Sequence, residues 1–198
     1  MKFKLLLLFL LITSFFSCLD LDVIQGNPLN NHNTIPFKVI DHQGQSIDTA
    51  NMNQYIFLLT FVFTECSNVC PIVTSQIKQS LILNDSEEET PVILISVDPE
   101  NDTEEAVYNF IEKWELTSNW SYITGNKNSL EPIWKNYFIN PINTHPMEKL
   151  SKNLAAKNRI IHTSPVYIFN KNGSAKVVHN SPIDPEKLVS DMKILSKE

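Results

Sequence analysis

Glycine is scarce in this chain: four residues in 198, at Gly26, Gly44, Gly125 and Gly173, none close to another. No glycine-rich loop can be built to cradle a phosphate, which argues against nucleotide chemistry. A basic block is also missing. Sixteen Lys and Arg stand against 22 Asp and Glu, giving a formal net charge of -6, so a nucleic-acid partner is disfavoured. No apolar run reaches the roughly 20 residues that a membrane-crossing helix needs. Cysteine is rare too, with three residues, an odd number. The remaining length suits one domain with a full core.

Residues 1–17 read as a signal peptide. Lys2 and Lys4 supply a positive start, and Leu5 to Phe16 a short apolar run. Export from a cytoplasm is the expectation. Ser17-Cys18 looks like the cleavage point of a bacterial lipoprotein signal, although Phe15 stands where leucine is usual. Lipidation of Cys18 would account for the odd thiol of an exported protein. Residues 18–34 are polar and read as a tether, leaving 35–198 as the domain.

The run Ile56-Phe57-Leu58-Leu59-Thr60-Phe61-Val62-Phe63 has almost no polar alternation. A strand apolar on both faces belongs in the middle of a covered sheet. It leads into Thr64-Glu65-Cys66-Ser67-Asn68-Val69-Cys70-Pro71. In open α/β sheets, ligands gather beyond the carboxyl ends of strands, where this loop lies. Pro71 suits a first helical turn. The spacing of Val73, Ile77 and Leu81 predicts a helix from Pro71 to about Leu83. Cys70 would then sit at the helix N-terminus, where a thiol ionises more readily. Two thiolates select soft metals such as Cu(I), or Zn(II). A loop at 66–70 lets the pair close into a Cys66–Cys70 disulfide or open around an ion.

The rest of the chain completes an α/β pattern. Phe37 to Ile47 carries a hairpin signal around Gln43-Gly44. Val92 to Val97 is a second continuous apolar strand, giving a βαβ unit. Asp102 with Glu105 reads as a capping box for a helix reaching Trp114. Trp120 to Ile123 predicts a strand, and a helix starts at Ser129. Residues 139–161 read as a surface insertion. Val166 to Phe169 and Ala175 to Val178 form a hairpin, and Asp184-Pro185 opens a last helix.

Three motifs occur in order: Thr64-x-Cys66-x-x-x-Cys70-Pro71, then Asp98-Pro99-Glu100-Asn101-Asp102-Thr103, then His162-Thr163-Ser164-Pro165 before a strand and Gly173. Together they resemble the signature of the Sco/SenC family, copper-handling proteins linked to cytochrome c oxidase assembly. The resemblance implies a thioredoxin-like fold of the peroxiredoxin-like variant. That fold has an N-terminal β-hairpin extension and a central mixed sheet with helices on both faces. It also implies one copper ion, Cu(I) or Cu(II), held by Cys66, Cys70 and His162, and no catalytic residue. Of the five histidines, His32, His42, His145, His162 and His179, only His162 precedes Ser164-Pro165. In thioredoxin-like folds a proline at that point faces the cysteine loop.

The function so implied is a copper metallochaperone. It would serve the dinuclear CuA site on a cytochrome c oxidase subunit. Its place would be the bacterial cell envelope, in the periplasm or at the outer face of the inner membrane, anchored through Cys18. Ser67-Asn68 departs from the Pro-Asp of many members. A thiol–disulfide oxidoreductase acting on partner cysteines in the envelope is the competing expectation. The three-residue spacing speaks against it and an oxidising compartment for it.

Overall fold

The structure is a computed structural model that describes residues 22–29, 34–143, 160–161 and 163–198. Cys18, His32, His145 and His162 lie outside the described residues. In chain order the elements are β1 (Asn27–Pro28), β2 (Lys38–Ile40), β3 (Ser46–Asp48), β4 (Phe57–Val62), α1 (Val69–Leu83), β5 (Val92–Ser96) and α2 (Glu104–Lys113). They continue with β6 (Trp120–Ile123), α3 (Lys127–Asn136), β7 (Ile142–Asn143), β8 (Ile160–Ile161), β9 (Val166–Phe169), β10 (Ala175–His179) and α4 (Pro185–Ser196).

The two unbroken apolar runs become the middle of a six-stranded sheet, ordered β1-β10-β9-β4-β5-β6. Every residue of β4 and β5 is buried. The two strands are parallel, with Leu58 opposite Val92 and Val62 opposite Ser96. β6 continues the parallel part, whereas β9 runs antiparallel to β4. The sheet is therefore mixed and the class α/β, as the strand patterns required. Phe57 stacks on Phe169 across the β4–β9 pair, with ring centroids 4.1 Å apart. Such a pair contributes about 0.5–1.5 kcal/mol beyond the area it buries.

Helix α1 turns Val73, Ile77 and Leu81 inward and packs against α4, whose Leu188, Met192 and Leu195 are buried. Asp184 caps α4 as expected, accepting the N–H groups of Glu186 and Lys187 at 3.1 and 3.3 Å. Helix α1 starts at Val69, two residues before the predicted Pro71. The proline still occupies the first turn, where an amide N–H has no helical partner to lose.

The caps of α2 and α3 differ from expectation. Thr103 is the N-cap of α2, its Oγ1 accepting the Ala106 N–H at 3.2 Å. Asp102 instead turns into the core and is 2 % exposed. Helix α3 begins at Lys127, behind an Asn126 cap that accepts the Ser129 N–H at 2.9 Å.

The N-terminal hairpin β2–β3 covers the free edge of the sheet. His42 donates its N–H to the Tyr122 carbonyl at 2.9 Å, and the Tyr122 N–H reaches His42 Nδ1 at 3.1 Å. Ser121 Oγ donates to Asp41 at 2.9 Å. An edge strand left bare would invite pairing with another chain, and this turn occupies it.

At the opposite edge, part of the segment read as a tether is docked. β1 pairs with β10, and Asp191 accepts the N–H groups of Gln25 and Gly26 at 2.7 and 2.8 Å. His179 Nε2 lies 2.8 Å from the same carboxylate, so this histidine is buried packing, not a surface residue. The expected insertion is framed by β7 and β8, which pair antiparallel, with residues 144–159 outside the described set.

Candidate metal centre

Parallel pairing of β4 and β5 delivers their carboxyl ends to one edge of the sheet. From β4 the chain passes through Phe63 and Thr64, turns where the Cys66 N–H meets the Phe63 carbonyl at 3.3 Å, and enters α1. Cys66 is half-buried on this turn, and Cys70 is fully buried in the first turn of α1. Both are free thiols. The Cys70 N–H donates to Cys66 Sγ at 3.3 Å.

This arrangement makes the two thiols unequal. A hydrogen bond from the Cys70 side chain is the main cause that pulls the Cys66 thiol down to about 6. The N–H groups of Cys70, Asn68 and Val69 add to it, against an opposing effect of burial. Cys70 is pushed far up by the same hydrogen bond, then by burial, then by the charge on Cys66. The sequence pointed to Cys70 as the more acidic thiol because it lies nearest the helix start. The structure reverses the order. Cys66 Sγ faces the helix start and accepts the Cys70 N–H there, whereas Cys70 is fully buried, where desolvation opposes its anion.

Below the loop lies a carboxylate platform. Thr64 donates to Asp102 Oδ1 twice, through N–H at 2.8 Å and Oγ1 at 2.7 Å. Ser96 Oγ at 2.6 Å and the Tyr122 hydroxyl at 2.8 Å donate to Oδ2. Asp98 stands beside it, held by its N–H to Ser96 Oγ at 3.1 Å and by Asn101 Nδ2 at 2.8 Å. Burial first, then the charges of Asp102, Glu100 and Glu65, raise the Asp98 carboxyl against the hydrogen bond from Asn101. A hard carboxylate oxygen suits Cu(I) poorly, and Asp98 is engaged with its own loop.

Of the three expected ligands, the structure brings Cys66 and Cys70 together, and His162 lies outside the described residues. Because β9 is antiparallel to β4, it begins at the end of the sheet where β4 leaves for the cysteine loop. Ser164 and Pro165, which lead into β9, are buried. Among the described residues no three His, Cys, Asp or Glu side chains form a metal-binding group. Sequence reasoning missed the inward turn of Asp102. The available signal was Thr103, an equally good cap one residue later.

A half-buried thiol and a fully buried one, at the head of a helix beyond the parallel strands of a thioredoxin-like sheet, define a thiol-bearing thioredoxin-like domain. The SCO1/SenC family model matches residues 25–197, and the chain belongs to that family. It is 26% identical over 176 residues to the SCO1 protein homolog of Bacillus subtilis, covering 86% of each chain. A SCO1/SenC family lipoprotein of Bacillus anthracis has a similar structure, with TM-score 0.68 and 28% identity over 85% of this chain and 97% of that one. Copper-bound ScoI of Bradyrhizobium japonicum shares the fold, with TM-score 0.66 and 21% identity over 82% of this chain and 98% of that one.

Proposed function

We propose that the domain is a copper metallochaperone whose cargo is one copper ion, bound by Cys66, Cys70 and His162 and passed on by ligand exchange. The observation that carries this reading is the paired thiols of one turn, Cys66 Sγ accepting the Cys70 N–H at 3.3 Å. Two sulfur donors four residues apart fit a soft ion, and a half-exposed Cys66 gives a recipient access to it. His162 is four residues ahead of Val166, where β9 starts at the loop end of the sheet. A neutral imidazole from there would complete a three-coordinate site.

Membership of a family linked to cytochrome c oxidase assembly supports the CuA site of that oxidase as recipient. A lipid on Cys18 would hold the domain at the outer face of a bacterial inner membrane, and Cys18→Ser would then release it from membranes. Binding must displace the proton that Cys70 holds tightly, so affinity falls as pH drops.

A second reading, a thiol–disulfide oxidoreductase in the envelope, is favoured by the same asymmetry. Cys66 is suited to attack and Cys70 to resolve. One experiment separates the two. His162→Ala is expected to weaken copper binding by the reduced protein at least tenfold while leaving Cys66–Cys70 disulfide exchange intact. Unchanged copper affinity with crippled exchange would favour the oxidoreductase.

A further inference from the structure

The carboxylate of Asp102 has no place in the ligand set, yet it is among the most heavily engaged side chains in the fold. It is 2 % exposed and receives four donors. Its own backbone is held as well, by the Asp102 N–H to the Asp98 carbonyl at 2.9 Å and by Thr124 Oγ1 on the Asp102 carbonyl at 3.0 Å. Two of the donors belong to core strands: Ser96 ends β5, and Tyr122, itself fully buried, lies in β6. The other two belong to Thr64, the residue between the last strand residues and the cysteine turn. The carboxylate thus splits its oxygens, one on the rigid sheet and one on the loop.

We propose that Asp102 is the positioning residue of the cysteine loop, fixing Thr64 to the ends of β5 and β6 and so setting where Cys66 stands over the start of α1. This rests on the copper-binding reading above. The loop has two fixed ends. Cys70 is locked by burial in α1, and Thr64 is tied to the sheet ends by its two bonds to Asp102. Only the short stretch 65–69 lies between them, so a shift at Thr64 moves Cys66 relative to Cys70.

The donor set also says which replacement preserves the tie. The Thr64 N–H cannot reverse its role, whereas the Ser96, Tyr122 and Thr64 hydroxyls can rotate and accept. In Asp102→Asn the amide oxygen can face Thr64 while its NH2 faces the Ser96 and Tyr122 hydroxyls. In Asp102→Ala both bonds from Thr64 to the carboxylate are lost. Thr64→Val removes one of its two bonds at nearly constant shape. Asp191 supplies the control, as an equally buried carboxylate that accepts from Gln25, Gly26 and His179 at the far edge of the sheet.

The test measures Cu(I) affinity by chelator competition and the Cu(II)–thiolate absorption band, with thermal melts for every variant. Asp102→Ala is expected to lose about 10–100-fold in affinity and to shift the band, as removal of an outer-shell partner does. Thr64→Val should move both readouts in the same direction by less, and Asp102→Asn should restore them toward wild type. Asp191→Asn should lower the melting temperature and leave both unchanged. If Asp102→Ala does not fold, Thr64→Val decides. Wild-type affinity and an unshifted band in the folded Asp102→Ala or Thr64→Val protein would overturn the proposal. If the wild-type protein binds no copper, it is the parent reading that fails. The positioning claim is then read from iodoacetamide labelling, where the rate at Cys66 should fall several-fold in Asp102→Ala, and an unchanged rate would refute it.

Discussion

Alkylation of the reduced protein across pH tests the inequality of the two thiols. Cys66 is pulled from the ordinary 9.0 to about 6, so at pH 7 it is ~90 % thiolate against ~1 % for an unperturbed thiol. The gain in reactive form is ~90-fold. Intrinsic nucleophilicity falls with a Brønsted slope of about 0.4–0.5, which over three pKa units removes ~15–30-fold. The net expectation at pH 7 is that Cys66 reacts ~3–6-fold faster than a cysteine in an unstructured peptide. Between about pH 7.5 and 8 the order reverses, because even a few per cent of the intrinsically better peptide thiolate then outruns Cys66. Cys70, 0 % exposed, should stay unlabelled until the protein unfolds. The assay is iodoacetamide labelling with each site read by mass spectrometry. A midpoint for Cys66 near the ordinary thiol value, or Cys70 labelled first, would refute the reasoning.

Two further predictions concern the edges of the sheet. A Cβ at Gly26 would come within 2.5 Å of Val177 Cγ1 and 2.7 Å of His179 Nε2. Gly26→Ala should therefore cost about 1–3 kcal/mol by overpacking or undock β1, read as a lower denaturant midpoint. An unchanged midpoint would mean that residues 22–29 contribute nothing to the fold. At the other edge, burial lowers the His42 pKa from 6.5, against the charge of Asp41. The unfolded chain then takes up this proton at higher pH than the folded one. This contribution is fully present above about 6.5 and is lost as pH falls toward the lowered folded value. His42→Gln should flatten the fall in urea midpoint between pH 7.5 and 5.5, and an identical fall in the variant would contradict the assignment.

Much of the fold was legible because its centre obeys local rules. The apolar runs at β4 and β5 have no solvent face, the Val73–Ile77–Leu81 stripe has one buried face, and Asp184-Pro185 punctuates α4. The cysteine loop was legible for the same reason, since a thiol pair after such a strand falls at a ligand-binding edge. What could not be read depends on partners distant in sequence. Asp102 fits a cap locally, but the Thr64, Ser96 and Tyr122 donors draw it inward, and Thr103 takes the cap. His42 looks like a turn residue until Tyr122 supplies its N–H. Residues 22–29 are polar, and only Asp191 and the edge of β10 give them a place. The order of the two thiol acidities was missed because it depends on which sulfur faces the free N–H groups, and spacing alone does not settle that.

X-ray absorption at the copper edge of the reduced, Cu(I)-loaded protein tests the ligand set most directly. Two sulfur scatterers and one nitrogen per copper are predicted, with the nitrogen lost in His162→Ala and copper itself lost in Cys66→Ser. A sulfur-only shell unchanged by His162→Ala, or copper retained without Cys66, would contradict the account.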